Sequence, residues 1–391
     1  MPTICENTMQ HLDVTFACFN NRVKFVNAAK KHSSKLASWG FSNAEPFLIA
    51  GPCSAESEEQ ILQTAHKIKA EGKTSVFRAG AWKPRTRPGS FEGIGTVALE
   101  WLSRAKAETG LPMATEVANA WHVEEVLKHG IDMIWIGART TVNPFYVQEI
   151  ANALKGVDIP VLVKNPLHPE LGLWLGAIER FDAVGIKKLA AIHRGFYTTK
   201  PSPFRNEPHW DLSFELRAHL PELPILCDPS HIAGNRGLLQ QVAQTAMDIN
   251  LDGLMIETHV TPDKALSDAK QQITPTALST LIDGLIIKQE EALEESVQKK
   301  LDDLRLVIDQ LDHELIKSLS KRFEHVEEIG AIKLEDQITI FQIKRWFEMM
   351  NNRKEFGAKH NLEAEFIHEL FSIIHKYSVK KQTEIVRKDA F

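Results

Sequence analysis

The chain has 391 residues, of which 43% are hydrophobic and 25% charged, with a formal net charge of -5 and a sequence pI near 6.4. Its length exceeds one typical core and predicts two domains. The acidic balance argues against a non-specific nucleic-acid binder, because such proteins carry a basic excess that meets phosphate.

The cysteines and the apolar segments indicate the cellular compartment. Cys5, Cys18, Cys53 and Cys227 form no C-x-x-C pair and no dense framework. A chain of this size does not need disulfides, so a reducing environment is the simplest setting. No apolar run reaches membrane-spanning length, and the N-terminus lacks a basic start followed by an apolar stretch. We therefore expect a cytoplasmic protein that binds neither nucleic acid nor membrane.

Short apolar runs alternate with helix-length amphipathic segments from Pro46 to about Ile287. Eight such units over about 240 residues predict an α/β fold, a (β/α)8 TIM barrel over residues 44–287. A doubly wound sheet is the alternative, but no glycine-rich dinucleotide turn follows the first run. The predicted strands are residues 47–50, 75–79, 113–117, 133–137, 160–163, 188–192, 224–227 and 253–256.

The flanking segments differ from the barrel in composition. Residues 1–43 form a short extension that is too small for an independent domain. Residues 288–300 are rich in Glu, Gln and Lys without glycine or proline, and they predict a charged helical linker. Residues 301–391 lack proline, and Leu301, Leu304, Ile308, Leu311 and Leu315 recur at helical spacing. This pattern predicts an all-α domain with helices near 299–334, 339–355 and 362–386.

Basic residues follow the predicted strands at the end where barrel enzymes carry their catalytic groups. A single strand-end cation is usually solvated or paired with an acid. Several cations around one mouth repel each other unless anions bind between them, and arginine suits phosphate and carboxylate. The set therefore predicts an anion site: Arg78, Lys83, Arg85, Arg139, Lys164 and Arg194.

A second set of strand-end residues offers metal ligands. One thiolate, one imidazole and two carboxylates suit a divalent ion, and their mixed softness leaves Mn, Fe, Co, Zn and Cu open. His259 is the alternative ligand, Cys227 is assigned to buried packing, and His209 suits the surface. The candidate ligands are Cys53, His231, Glu257 and Asp268.

Five motifs follow the predicted strands in chain order. They are Gly51-Pro52-Cys53-Ser54, Lys83-Pro84-Arg85-Thr86, Ile136-Gly137-Ala138-Arg139, Asp228-Pro229-Ser230-His231 and Ala265-Leu266-Ser267-Asp268. In sequence and order these motifs resemble 3-deoxy-D-arabino-heptulosonate 7-phosphate (DAHP) synthase, type I, of the compact β branch, over residues 44–285. Lys164-Asn165-Pro166 departs from the Lys-Arg-Gly often seen in this branch but keeps the lysine.

The resemblance implies a metal-dependent condensation of phosphoenolpyruvate with erythrose 4-phosphate to DAHP and phosphate. It assigns phosphoenolpyruvate to Arg78, Lys83, Arg139, Lys164 and Arg194, and erythrose 4-phosphate to Lys83, Pro84, Arg85 and Thr86. The metal, on Cys53, His231, Glu257 and Asp268, would polarise the aldehyde oxygen. Lys164 and Glu116 are candidates for proton handling.

Two other barrel activities are alternatives. The nearest relative family, 3-deoxy-D-manno-octulosonate 8-phosphate (KDO8P) synthase, takes arabinose 5-phosphate. The run Lys83-Pro84-Arg85-Thr86 favours erythrose 4-phosphate instead. A Schiff-base aldolase acting through Lys164 is the second alternative, although it needs fewer cations and no ligand set.

The helical tail carries a second group of polar residues. Arg322 and Lys333, eleven residues apart, share a helix face, whereas Arg305 lies about a quarter turn or more away. Ser378 and Gln382 share a face at spacing i, i+4. Together with Arg345, these residues resemble the all-helical chorismate mutases over residues 299–385, in order and spacing.

This second resemblance implies rearrangement of chorismate to prephenate in a homodimer, with Arg305 supplied by the partner chain. Arg305, Arg322, Lys333, Arg345, Ser378 and Gln382 would bind the substrate. Trp346 and Gln342 stand where the family has acids, which predicts a lost hydroxyl contact and reduced turnover. A non-catalytic sensor of chorismate or prephenate is the alternative.

The domain arrangement also predicts regulation. No regulatory domain is visible before the barrel, so the tail is the only other segment with a pocket for a pathway metabolite. We expect prephenate bound there to inhibit the barrel.

Overall fold

The first of two compact units is a closed barrel, seen in a computed structural model that describes residues 36–41, 45–84, 89–288 and 294–388. All eight strands are parallel, each pairs with its sequence neighbour, and the last pairs with the first. The predicted TIM barrel is confirmed. Each strand begins and ends within one residue of its predicted range. Strands β1 to β8 are Phe47–Gly51, Val76–Arg78, Met113–Val117, Met133–Ile136, Val161–Lys164, Leu189–His193, Ile225–Cys227 and Gly253–Glu257.

Helices connect the strands and begin and end at recognisable capping residues. Ser57 accepts a hydrogen bond from Gln60 N at the first helix, and Gly72 closes it at φ 72°. A left-handed residue at that position favours glycine because it has no Cβ. Helices α1 to α10 are Glu58–Glu71, Val97–Thr109, Ala120–Lys128, Ala138–Thr141, Pro144–Ala153, Leu171–Ala183, Trp210–His219, Pro229–Ala233, Leu239–Asp248 and Pro275–Asp283.

Two apolar clusters stabilise the barrel. One lies between the strands and the surrounding helices, and the other fills the barrel interior. Leu36 and Trp39 join the interior cluster, so residues 36–41 of the predicted extension pack into the barrel core. Phe41 is partly buried against the same cluster, and residues 1–35 and 42–43 of that extension lie outside the described residues. The interior strand residues are Phe47, Ile49, Val76, Ala114, Met133, Trp135, Leu162, Ala190, Ile192, Leu226 and Met255.

The second unit is all-helical, as predicted, with α11 at Glu295–Glu335, α12 at Ile343–Lys359 and α13 at Ala364–Lys388. Helix α12 begins and ends four residues later than expected. It begins later because the chain turns after α11, where Lys333 Nζ donates to Ile340 O. It continues through Gly357, since α13 passes so close that a Cβ there would lie 2.6 Å from Ile367 Cγ1.

The first half of α11 has an exposed apolar seam. Residues 294–300, the end of the predicted linker, already belong to this helix or its cap, whereas 289–293 lie outside the described residues. The seam residues are 41% to 62% exposed in the described chain: Leu301, Leu304, Ile308, Leu311 and Leu315. No described helix is both long and apolar enough to cross a bilayer.

Gly51, at the end of β1, provides a test of the close packing beneath the barrel mouth. Its φ is +150°, and a Cβ would lie 2.1 Å from Arg78 O. We expect Gly51→Ala to lower the free energy of unfolding of the barrel by about 3 kcal/mol or more, because backbone atoms must move. Urea unfolding followed by tryptophan fluorescence measures it, since seven of the eight tryptophans lie in the barrel.

The matched control is Gly110→Ala. Gly110 has φ +68° but open space around the added methyl. This variant carries only the conformational cost, about 1 kcal/mol. Equal losses in the two variants would contradict the packing argument.

Candidate active sites

Three of the four predicted metal ligands meet at the carboxyl ends of β1 and β8. Cys53 Sγ lies 3.4 Å from Asp268 Oδ2, and the ligand atoms of Cys53, Glu257 and Asp268 all lie within 4.8 Å of one another. The fourth, His231, places Nε2 3.9 Å from Glu257 Oε1. The pairing of Gly51 with Glu257 brings the two strand ends together.

Several polar residues that sequence reasoning missed hold this cluster in place. Gln271 Nε2 donates to Glu257 Oε2 at 2.7 Å, and Gln272 Oε1 accepts from Cys53 N at 3.0 Å. Arg205 Nη1 donates to Asp268 Oδ1 at 3.1 Å. Arg205 follows no strand directly, so only the fold brings it to the cluster.

The cluster fits a divalent cation. Glu257 Oε1 is buried and has no hydrogen-bond partner among the described residues. Burial, and then the charge of Glu257, raise the pKa of the Cys53 thiol to about 12. A cation among these atoms would satisfy the open oxygen and stabilise the thiolate beside two carboxylates. Sulfur, nitrogen and oxygen donors together suit a transition metal.

The alternative ligand His259 contacts two residues outside this group. Its Nδ1 accepts from Thr261 N, and its Nε2 faces Glu56 Oε2 at 3.8 Å. Cys227 packs in the outer apolar cluster, where burial raises the pKa of its thiol. His209 is exposed.

Four of the predicted phosphoenolpyruvate cations line one pocket at the barrel mouth. Arg85 and Thr86, the other proposed erythrose 4-phosphate residues, lie outside the described residues. The pocket is lined by Lys83, Pro84, Glu116, Gly137, Ala138, Arg139, Lys164, Leu167, Arg194, Arg205, His231 and Asp268.

Arg78, the fifth cation, is buried behind this pocket. Its Nη2 donates to Cys53 O at 3.3 Å and lies 3.4 Å from Glu257 Oε1. Nε and Nη1 are buried and make no hydrogen bond to a described residue. Open donors on a buried cation are costly, so they favour an anion nearby.

Asp228 links the anion pocket to the metal cluster. Its Oδ2 lies 2.7 Å from Lys164 Nζ and 2.8 Å from His231 Nδ1. Burial alone would raise the pKa of Asp228, but His231 and Lys164 hold it well below its usual value. Burial lowers the pKa of Lys164, and Asp228 opposes that shift. The sequence placed Asp228 inside a motif without showing that it contacts both residues.

Arg194 is held by two asparagines. Its backbone N donates to Asn165 Oδ1 at 2.6 Å, and its Nη1 donates to Asn206 Oδ1 at 2.8 Å. Asn165 Nδ2 also donates to Gly195 O at 2.8 Å. The asparagine that departs from the family pattern therefore joins the ends of β5 and β6. Burial lowers the pKa of Arg194 to about 10, which still leaves a cation at neutral pH.

The segment that carries Lys83 and Pro84 is supported from below by an aromatic stack. The Trp82 and His122 rings lie 3.9 Å apart at an interplanar angle of 8°. Trp82 forms a β-bridge with Gly93, and Lys83 N donates to Glu92 O at 2.8 Å. These contacts hold both ends of the segment at the barrel mouth.

The helical unit has a cationic pocket of its own. Five of the six predicted residues line it: Arg322, Lys333, Arg345, Ser378 and Gln382. No described lining residue is acidic. Arg305 is absent from the lining, is exposed, and lies about 25 Å along α11 from Arg322 at 1.5 Å per residue. It pairs with Asp302 at 2.9 Å.

Two lining residues escaped the sequence analysis. Arg353 adds a cation to the pocket and packs over the Phe371 ring at 4.6 Å. His375 lies 4.3 Å from the Trp346 ring, and burial followed by nearby cations lowers its pKa. Trp346 therefore packs against an imidazole where the resembled family has an acid.

The molecule thus combines a (β/α)8 barrel, with an anion pocket beside a metal-ligand cluster, and an all-helical unit with a second cationic pocket. Residues 40–295 match the DAHP synthetase I family, and residues 304–383 match chorismate mutase type II. The chain belongs to the DAHP synthetase I family and carries a chorismate mutase type II domain in its helical unit.

Individual relatives are similar to the barrel. Phospho-2-dehydro-3-deoxyheptonate aldolase of Thermotoga maritima is 35% identical over 230 residues, covering 58% of this chain and 64% of that protein. A 2-dehydro-3-deoxyphosphooctonate aldolase of Nitratidesulfovibrio vulgaris is 27% identical over 257 residues, covering 58% and 85%. A crystal structure of the Thermotoga maritima DAHP synthase has a TM-score of 0.55 at 33% identity, covering 61% of this chain and 67% of that one. The chain therefore spans less than two thirds of the first relative.

Proposed function

We propose that the barrel condenses phosphoenolpyruvate with erythrose 4-phosphate to DAHP and phosphate, and that the helical unit rearranges chorismate to prephenate. One observation carries the barrel proposal: Asp268 and His231, from the metal-ligand set, line the same pocket as four of the predicted cations and Arg205. Phosphate and carboxylate on one substrate need such cations, and an aldehyde on the other needs an electrophilic partner.

The residues of the pocket have separable roles in this proposal. Lys83, Arg139 and Arg194 would hold the phosphate and carboxylate of phosphoenolpyruvate, with Lys164 and the buried Arg78. A bound divalent metal would supply Lewis acidity at the aldehyde oxygen. C3 of phosphoenolpyruvate bonds to the aldehyde carbon, water adds at C2, and phosphate leaves. Glu116 and Lys164 line the pocket and would handle protons near that water.

The alternative aldose, arabinose 5-phosphate, has weaker support. Identity to the heptonate relative is 35%, against 26–28% for the octonate relatives. A two-substrate assay with each aldose phosphate separates them. A Schiff base on Lys164 would have to displace its 2.7 Å contact with Asp228. Trapping of a substrate adduct by borohydride would favour that chemistry.

The proposed metal dependence is tested by Cys53→Ala. We expect chelation to abolish condensation by the wild type and Mn²⁺ to restore it. Cys53→Ala should lose metal binding, measured by calorimetry, and condensation, because the only soft ligand is removed. Mutase activity should remain. The need for a reduced thiol also fits the expected cytoplasmic location.

Cys227→Ala is the matched control, since this thiol is equally buried but packs away from the ligand cluster. It should keep metal binding. Condensation at the wild-type rate by Cys53→Ala in the presence of chelator would contradict the metal site.

For the helical unit, the proposal rests on a pocket with cations and without acids. The rearrangement needs no proton transfer, only groups that hold a dicarboxylate and meet charge on the breaking ether oxygen. Arg322 would bind a carboxylate, Lys333 and Gln382 the ether oxygen, and Arg345 and Ser378 the ring and its carboxylate. Arg305 would enter from the partner of a homodimer, whose interface the exposed seam of α11 would form.

Subunit mixing tests the shared site. Arg305→Ala and Lys333→Ala should each be nearly inactive as mutases. After mixing and refolding, we expect roughly a quarter of wild-type activity, because half of the random dimers are heterodimers with one intact site.

Lys333→Ala mixed with Arg322→Ala is the matched control, since both residues line the same chain's pocket and every heterodimer site stays damaged. Recovery there, or none in the first mixture, would argue against a partner-supplied Arg305.

We also propose that prephenate in the helical pocket inhibits the barrel. A ligand affects a distant site only through different affinities for two arrangements, typically worth about 1–3 kcal/mol. The alternative is two independent catalysts on one chain. A non-catalytic sensor would show the same inhibition without mutase turnover.

The regulatory proposal is tested in the full chain with Arg322→Ala. Condensation should persist, and prephenate should no longer inhibit it, as measured by initial rates. Lys380→Ala, an exposed cation on α13, should remain inhibited. Equal inhibition of Arg322→Ala and wild type, or none of the wild type, would refute coupling through this pocket.

A further inference from the structure

Trp135, in the barrel interior, lies beside two residues that line the barrel-mouth pocket, Glu116 and Lys164, and beside Arg78 behind it. The Arg78 guanidinium lies 4.6 Å from the ring centroid, and Lys164 Nζ lies 5.8 Å from it. The indole Nε1–H donates to Glu116 Oε2 at 3.0 Å. The side chain is only 1% exposed.

The two cations are buried, Lys164 Nζ 2.7 Å from Asp228 Oδ2 and Arg78 Nη2 3.4 Å from Glu257 Oε1. Arg78 and Lys164 are each less than 5% exposed, and like charges repel strongly away from water. An aromatic face attracts cations within about 6 Å, most strongly when the site is desolvated. The Trp135 ring therefore adds to the carboxylates an attraction for both cations that brings no negative charge of its own.

The same side chain fixes Glu116. Its Oε2 accepts from Trp135, while Oε1 lies beside Gly137, where a Cβ would come within 2.1 Å. The missing side chain at Gly137 makes room for one oxygen, and the indole holds the other. The carboxylate is thus oriented at the pocket wall before substrate arrives.

Ordinary core packing does not require these contacts. Trp135 belongs to an interior cluster whose other strand members are Ala, Val, Leu, Ile, Met and Phe. A smaller apolar residue could fill the barrel interior without adding a buried N–H group that needs a hydrogen-bond acceptor. Since β3 and β4 pair Glu116 with Trp135, the register sets the donor beside the carboxylate.

We propose that Trp135 is a positioning residue of the phosphoenolpyruvate site, whose ring holds Arg78 and Lys164 and whose Nε1–H orients Glu116. This inference rests on the proposed condensation. The ring acts on substrate binding, through the two cations. The N–H acts on turnover, through the carboxylate proposed to handle a proton.

Two variants of the full-length protein separate these contributions. Trp135→Phe keeps a ring face and removes the N–H. We expect the Kd for phosphoenolpyruvate to stay within roughly twofold and kcat to fall roughly tenfold. Trp135→Leu removes both, and we expect the Kd to rise roughly tenfold as well. Calorimetry with phosphoenolpyruvate alone gives Kd, and initial rates give kcat.

Trp174→Phe is the matched control, because this buried indole donates to a backbone carbonyl, Val163 O, rather than to a carboxylate. It should lose stability but keep Kd and kcat. If Trp135→Leu does not fold, as judged by circular dichroism, the kcat of Trp135→Phe is the test of the inference.

A folded Trp135→Leu with wild-type Kd, or Trp135→Phe with wild-type kcat, would overturn the inference and leave the proposed condensation standing. A wild type that neither binds phosphoenolpyruvate nor condenses it would overturn both. A loss of kcat in Trp174→Phe equal to that in Trp135→Phe would show a merely structural role.

Discussion

The buried carboxylate of Asp228 lies between Lys164 Nζ and His231 Nδ1, and the arrangement of the barrel site depends on this contact. A buried ion pair adds little net stability, because desolvation of the charges offsets their attraction. Its consequence is geometric. The contact holds Lys164 of the barrel-mouth pocket and His231 of the proposed ligand set at fixed positions. The basic side chains and two of the proposed metal ligands therefore line one pocket.

Other charged side chains of the barrel mouth are also held in position before substrate binds. Arg78 lies against Trp135 and near Glu257, and Arg194 is held by Asn165 and Asn206. Each contact leaves the guanidinium group charged and restricts its position. Groups that are oriented before the substrate arrives need no reorganisation during the reaction, which is the main electrostatic advantage of an enclosed site.

In the helical unit, neutral oxygens hold two cations of the pocket. Lys333 and Arg322 are held by Ile340 O and Ser378 Oγ, but Arg305 stays exposed on a helix segment with an apolar seam. The described chain therefore holds most of the proposed mutase site and leaves the apolar seam of α11 exposed. Trp346 and His375 also give this pocket an aromatic wall, which distinguishes its chemistry from that of a site with an acid there.

The sequence by itself determined the barrel and the strand-end cations, because parallel strands buried on both faces are continuous apolar runs and their ends carry the polar residues. Only the tertiary structure decided which residues meet. It placed His259 beside Glu56, and it brought Arg205 and Gln271 to the ligand cluster. Such contacts join loops that are far apart in the chain, so the periodicity of the sequence cannot predict them. Trp135 shows the same limit: its sequence position predicts a core residue, whereas strand register places its indole beside Glu116.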